Sequence, residues 1–302
     1  MGATETVGTP EADTEPDART ASGPTVPRLV LGARLRRLRE ELRFSREEAG
    51  EAIRASQSKI SRMEWGRHGF KLRDVSDLLT LYGVTDQAER ATLMALAEQA
   101  NTPGWWQPYN DVVPAWTQAY LGAEQAASLI RCFQPQVVPD LLQIPDYARA
   151  AVRLTCPEAS AEEIDRRVTL RMKRRQILHR QRAAQFWAVI DEAALRRPVG
   201  GTGTMRAQLQ HLIEVCQLPQ ITVQIVPFLA GGHAAAGGPV TIVRMPGGLL
   251  PDMVYLEQLA SAVYPDKPSE IEYYWGVMNR VVVQADSPDA TCTILHRILQ
   301  ET

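Results

Sequence analysis

Between Ser45 and Gly66 the chain reads SREEAGEAIRASQSKISRMEWG. If the second half of this stretch is helical, Gln57, Ser58, Ser61 and Arg62 lie on the face opposite Ile60 and Met63. Gln and Arg on an exposed helix face have a specific chemistry. The first pairs with adenine and the second with guanine, each through two hydrogen bonds to the base edge. A solvated polar face would carry the same residue types, so the elements around this helix decide between the two readings.

Those elements are legible from spacing. Leu31, Leu35, Leu38 and Leu42 recur at helical intervals, with Arg34, Arg36, Arg37 and Arg39 between them, which predicts an amphipathic helix with a basic outer face. Ser45 followed by Glu48 is a capping-box start for a second helix, with Ala49, Ala52 and Ile53 inward. Ser56 caps a third, short helix running to about Trp65. Two more helices are predicted near residues 71–81 and 86–99, on Val75, Leu78 and Leu79 and on Leu93, Leu96 and Ala97. Five short helices fit one all-α domain over residues 28–100. A helix-turn-helix needs a small residue where its helices cross, a tight turn and a β-branched lock, and Gly50, Arg54-Ala55 and Ile60 stand at those places.

This stretch closely resembles the repressor-like helix-turn-helix family that includes the lambda and Cro repressors and the xenobiotic-response-element regulators. The resemblance implies a third helix in the major groove of a DNA operator, with Gln57, Ser58 and Arg62 reading bases and Ser61 on the same face. It makes Arg46, Ser56, Lys59, Arg67 and Lys71 phosphate contacts, which position a duplex without reading it. Two residues depart from the pattern. Arg54 replaces the usual turn glycine, at a cost of about 1–2 kcal/mol for a left-handed side-chain residue, and Trp65 replaces a polar residue.

At 302 residues the chain is about twice a typical domain, which predicts two folded units and a tail. Apolar residues at 45% and charged residues at 23% exclude wholesale disorder and collagen-like structure. No apolar run approaches the roughly 20 residues that span a bilayer, and the N-terminus is acidic, so a soluble, cytoplasmic, nucleoid-associated protein is expected. The net charge of −2 is unevenly spread. Residues 1–27 carry five acids and one base with almost nothing large and apolar, which predicts a disordered acidic tail. Residues 28–82 carry thirteen Lys or Arg against eight Asp or Glu, a local basic footprint suited to nucleic acid.

Pro103, Gly104, Trp105, Trp106, Pro108 and Pro114 interrupt helical periodicity and mark residues 101–114 as a junction. Beyond it, strands are predicted at 129–138, 185–190, 221–226, 240–244 and 253–256. Helices are predicted at 145–154, 160–182, 203–216, 268–285 and 288–300. Interleaved strands and helices give a larger mixed α/β (α+β) domain over 115–302. Its runs Glu124-Gln125-Ala126-Ala127, QPQVVPDLLQIPDYARA from Gln134 to Ala150, RMKRRQIL, ITVQIVPF and VYLE resemble the uncharacterised domain that follows such a helix-turn-helix in many actinobacterial regulators. That resemblance implies a regulator, sometimes described as antitoxin-like and paired with a small companion protein, with no established ligand, cofactor or catalytic residue. Asp140 stands where glycine is usual in its VPGLLQ turn.

Other chemistries are poorly supported. Cys132, Cys156, Cys216 and Cys292 form no CxxC pair and read as buried reduced thiols. His68, His179, His211, His233 and His296 form no metal spacing, and GxSxG is absent. The glycine-rich segments Gly200–Thr204 and Gly231–Gly238 read as loops, and the run Arg166, Arg167, Arg171, Lys173, Arg174, Arg175, Arg180 and Arg182 as a solvated face. Tyr255 and Glu257 share one strand face, and Arg131 on another strand could partner Glu257 in an ion pair or a ligand site. The expectation is a non-enzymatic, sequence-specific transcriptional regulator whose C-terminal domain dimerises and binds an effector or companion protein. An antitoxin-like module is the first alternative and a DNA-targeted enzyme the second. One recognition helix covers few base pairs, so a homodimer is expected on two half-sites. Light scattering at micromolar concentration should give twice the chain mass; a monomer that stays single on DNA contradicts this.

Overall fold

A computed structural model describes residues 23–181, 183–247 and 250–302; the tail over 1–22 and Arg182 lie outside the described residues. The N-terminal unit comprises α1 (Thr25–Glu41), α2 (Arg46–Ala52), α3 (Gln57–Glu64), α4 (Leu72–Leu81) and α5 (Gln87–Ala100). Leu31, Leu35, Ala49, Ile60, Met63, Phe70, Val75, Leu79 and Ala97 fill its core. At the start of α2 the Ser45 hydroxyl accepts from Glu48 N at 3.1 Å while Ser45 N donates to the Glu48 carboxylate at 2.7 Å. Ser56 caps α3 by accepting from Lys59 N at 3.3 Å. The turn between them is tight enough that a Cβ on Gly50 would sit 2.5 Å from the Ala55 carbonyl oxygen. Arg54 takes the left-handed conformation, φ +53°, so it keeps the turn that glycine would make.

The first helix starts earlier than Leu31. Thr25 and Pro27, assigned by composition to the disordered tail, are helical and buried. Packing explains this, because Thr25 lies against α6 (Gln118–Ala126), where a side chain on Gly122 would collide with it. Leu29 belongs to the core of the C-terminal domain, so α1 spans both units.

The rest of that domain runs β1 (Leu129–Gln134), α7 (Pro145–Thr155), α8 (Ala161–Arg175), β2 (Gln185–Asp191), α9 (Glu192–Arg196), α10 (Thr202–Val215) and β3 (Ile221–Val226). It closes with β4 (Val240–Arg244), β5 (Met253–Glu257), β6 (Ala262–Val263), α11 (Pro268–Gln284) and α12 (Pro288–Glu301). The strands form one six-stranded mixed sheet in the order β3-β2-β1-β4-β5-β6. β1, β2 and β3 are parallel, and β4, β5 and β6 each run antiparallel to the preceding neighbour in that order. Two-residue alternation sorts the side chains. Ile130, Cys132, Ala188, Val223 and Tyr255 join the core shared with α12 residues Leu295 and Ile298, whereas Phe133, Val189, Ile242 and Val254 face Val277, Met278 and Val281 of α11.

Several expected bounds shift for identifiable reasons. β1 stops at Gln134 because Pro135 has no N–H to continue the ladder. α8 ends at Arg175 and tightens into a 3-10 turn over Gln176–His179. The short elements α6, α9 and β6 had no sequence signal. In the junction, Trp106 and Val113 are buried against Leu121 and Leu170, so it packs on the C-terminal domain. Of the free cysteines only Cys132 is buried; the other three are half-buried. Among the described residues no helix is long and apolar enough to cross a membrane.

Two substitutions test the turn. Gly50→Ala should destabilise the protein by about 1–3 kcal/mol through overpacking. Arg54→Gly should stabilise it by roughly 0.5–1 kcal/mol, the left-handed penalty less the extra chain entropy of glycine. Urea unfolding of the variants measures both, and the opposite sign for either contradicts this turn geometry.

Candidate nucleic-acid interface

The capped start of α3 leaves Gln57, Ser58 and Arg62 exposed while Ile60 and Met63 are each 1% exposed. Ser61, half-buried, donates its hydroxyl to Asp266 of the C-terminal domain at 3.3 Å. Three of the four residues assigned to base reading therefore face solvent, and the fourth faces another part of the chain.

The residues assigned to phosphate have divided roles. Lys71 is exposed at the start of α4, and Ser56 is exposed while capping α3. Lys59 donates its ammonium to Asp74. The Arg46 Nε donates to Glu64 at 3.1 Å, joining Arg39, which donates to both oxygens of the same carboxylate. Glu64 is 4% exposed and Arg39 7% exposed. Burial pulls the Arg39 pKa down, but the hydrogen bond and charge of Glu64 raise it above the ordinary value. The basic outer face expected of α1 is therefore corrected at Arg39, which points inward. Arg34 and Arg36 are paired as well, with Glu89 and Glu40.

Arg67 is not free for phosphate in this arrangement. Its guanidinium lies 4.9 Å from the Tyr264 ring centre and 5.8 Å from that of Trp65. Burial pushes its pKa down, with Asp266 and Tyr264 opposing. Trp65, whose place at the end of α3 had no sequence explanation, is 7% exposed and also carries Arg36 at 4.8 Å over its ring. Its indole N–H has no hydrogen-bond partner among the described residues. Trp65 lines two clefts along the seam between the domains, of about 390 and 440 Å³. Both also include Arg36 and Pro251.

In the C-terminal domain the structure separates Arg131 from Glu257. Arg131 aligns with Ile242 and, through it, with Val254, so it lies on the α11 face. Tyr255, and with it Glu257 by alternation, faces the other way. The suggested Arg131–Glu257 pair is thereby corrected. Arg131 instead donates to the Asn279 side-chain oxygen at 3.0 Å and stacks 4.1 Å from Trp187 and 5.3 Å from Trp275. Burial, with Arg244 nearby, pushes its pKa down.

Tyr255 is stacked on Tyr120 at 4.3 Å, and its hydroxyl is buried without a partner among the described residues. Glu257 keeps solvent access, yet desolvation by the surrounding protein and the charge of Asp140 push its carboxyl up against the pull of Arg174 and Arg171. Arg174 itself is buried, which corrects the reading of its helix as a wholly solvated face. It donates to both oxygens of Glu124 at 2.9 and 2.8 Å and to Asp140 at 2.8 Å. Asp140 needs no left-handed backbone and so loses nothing by not being glycine. Burial pushes its carboxyl up, but Arg171 and Arg174 outweigh that and hold it below the usual range. Residues from separate sequence runs thus converge on one buried ion network that spacing alone could not reveal. Among the described residues no group of His, Cys, Asp and Glu is arranged to hold a metal ion.

A capped helix-turn-helix with a polar face on its second helix, followed by a mixed-sheet domain, defines a helix-turn-helix protein, a class that fits DNA binding and transcription regulation. Residues 30–93 match the helix-turn-helix domain family, and residues 117–297 match the family described as a domain of unknown function, DUF5753. The second match covers more than half of the chain, which belongs to that family. No curated protein and no solved structure matches the chain.

Glu64→Ala should cost about 3–5 kcal/mol of stability in urea unfolding, because it leaves Arg39 buried without its countercharge. A loss below about 1 kcal/mol contradicts the buried pair. The depressed Asp140 carboxyl contributes stability above its unfolded pKa of about 3.9, lost as pH falls through its folded value. Asp140→Asn should therefore flatten the acid limb of Tm against pH; an unchanged limb contradicts the assignment.

Proposed function

We propose that this chain is a sequence-specific, double-stranded-DNA-binding transcriptional regulator of the repressor-like kind. In this reading α3 enters the major groove and Gln57, Ser58 and Arg62 read base edges, joined by Ser61 when it is released from Asp266. The observation that carries it is the polarity of α3, with those three side chains in solvent and Ile60 and Met63 sealed in the core. In this reading the exposed Lys71 and Ser56 meet phosphates, while Lys59, Arg46 and Arg67 exchange or share present partners to do so. The C-terminal domain acts by association, as the dimerisation unit and as the place where an effector or companion protein is sensed, and the protein works by occupying DNA without transforming a substrate.

Arg62→Ala and Gln57→Ala should each cost about 1–3 kcal/mol at the base pair each reads, relaxing preference there. Lys71→Ala should weaken all sequences alike and reduce the salt slope by about 1. Gel-shift titrations against matched and single-substituted sites make the comparison. Unchanged affinity and preference in both the Arg62 and Gln57 variants would show that another surface reads the DNA.

A further inference from the structure

The segment from Tyr264 to Lys267, between β6 and α11, reaches across the domain seam to α3. Asp266 accepts the Ser61 hydroxyl at 3.3 Å, and the Tyr264 ring lies 4.9 Å beneath the Arg67 guanidinium. The segment is anchored at its other side. The Tyr264 hydroxyl donates to the Trp116 carbonyl at 2.5 Å, and its ring lies 5.3 Å from Tyr255, which stacks on Tyr120 at 4.3 Å. Arg174 lies 5.6 Å from Tyr120, so the stack continues to the buried ion network. A firmly held part of the C-terminal domain therefore occupies one flank of the helix assigned to base reading.

That position has a steric consequence. A helix with its side chains is about 10–12 Å across, and the major groove is about 12 Å wide, so an inserted helix leaves no room for a second segment along its flank. Ser61 directly precedes Arg62, about 100° round the helix, so a segment bonded to Ser61 flanks the face from which Arg62 reaches a base. The groove wall is a line of phosphates, and the Asp266 carboxylate offers Ser61 and Arg67 the same kind of anionic oxygen. Like charge forbids carboxylate and phosphate from sharing that place.

We propose that this flank of α3 is a docking surface with two mutually exclusive occupants: the Tyr264–Lys267 segment of the same chain and the DNA backbone. The inference rests on the DNA-reading role of α3 proposed above. The described arrangement is the closed one. Opening it frees Ser61, and Arg67 exchanges the Tyr264 ring and Asp266 for phosphate, so whatever moves the anchored segment and α3 apart favours DNA binding.

The test uses the 302-residue chain and a short mixed-sequence DNA duplex at low salt, read by fluorescence anisotropy. The doubly substituted Ser61→Cys, Asp266→Cys protein serves as its own control: oxidised, the two side chains lock the segment to α3, and reduced, they release it. The oxidised form should bind at least tenfold more weakly than the reduced form, while oxidised and reduced wild type bind equally. Asp266→Asn should bind several-fold more tightly than wild type and by more than Glu270→Gln, which removes the same charge nearby from a residue paired with Lys267. Equal binding by oxidised and reduced double variant overturns the proposal, as do equal effects of Asp266→Asn and Glu270→Gln if the disulfide does not form. Failure of wild type and every variant to bind duplex overturns the DNA-reading role itself, a separate outcome.

Discussion

The N-terminal half of the molecule is organised around one buried carboxylate. Glu64, at the last turn of α3, accepts from Arg39 of α1 and from Arg46 of α2, so three helices meet on one side chain. The ions are expensive to desolvate and are tolerated because each oxygen is hydrogen-bonded to a cation. The pairing fixes the direction in which α3 leaves the core, and with it which face remains exposed. It also removes Arg39 and Arg46 from the stock of free surface charge, leaving the exposed electrostatics to fewer residues than the sequence count suggests.

The C-terminal domain repeats this device. Glu124 of α6, Asp140 after β1 and Arg171 and Arg174 of α8 come from three stretches of sequence and close one network beneath the Tyr120–Tyr255 stack. Such a network holds α6 and α8 in fixed relation, and α6 in turn holds the first turn of α1 through Gly122 and Thr25. The two domains are thus joined by the helix α1, packed into both, and by the Arg67–Tyr264 contact across the seam.

What the sequence disclosed and what it hid divide by distance along the chain. Capping at Ser45 and Ser56, the small residue at Gly50 and the left-handed turn at Arg54 were legible because each is a rule about neighbours. The polar face of α3 was legible for the same reason. The partners of Ser61 and Arg39 were not, since they lie 205 and 25 residues away. Trp65 has its explanation in the domain seam that covers it, which no local pattern discloses. Arg131 and Glu257 lie on opposite faces of the sheet, which alternation within each strand does not disclose because strand order and relative facing decide it.

If the exposed face of α3 reads DNA sequence, the protein must prefer some duplexes over others. The decisive measurement is selection of duplexes from a random pool by the 302-residue chain. A defined motif should be enriched, with the Arg62→Ala protein losing its preference at a guanine position of that motif and keeping the remainder. Retention of the pool without enrichment, or a motif untouched by Arg62→Ala and Gln57→Ala together, would contradict DNA reading by α3.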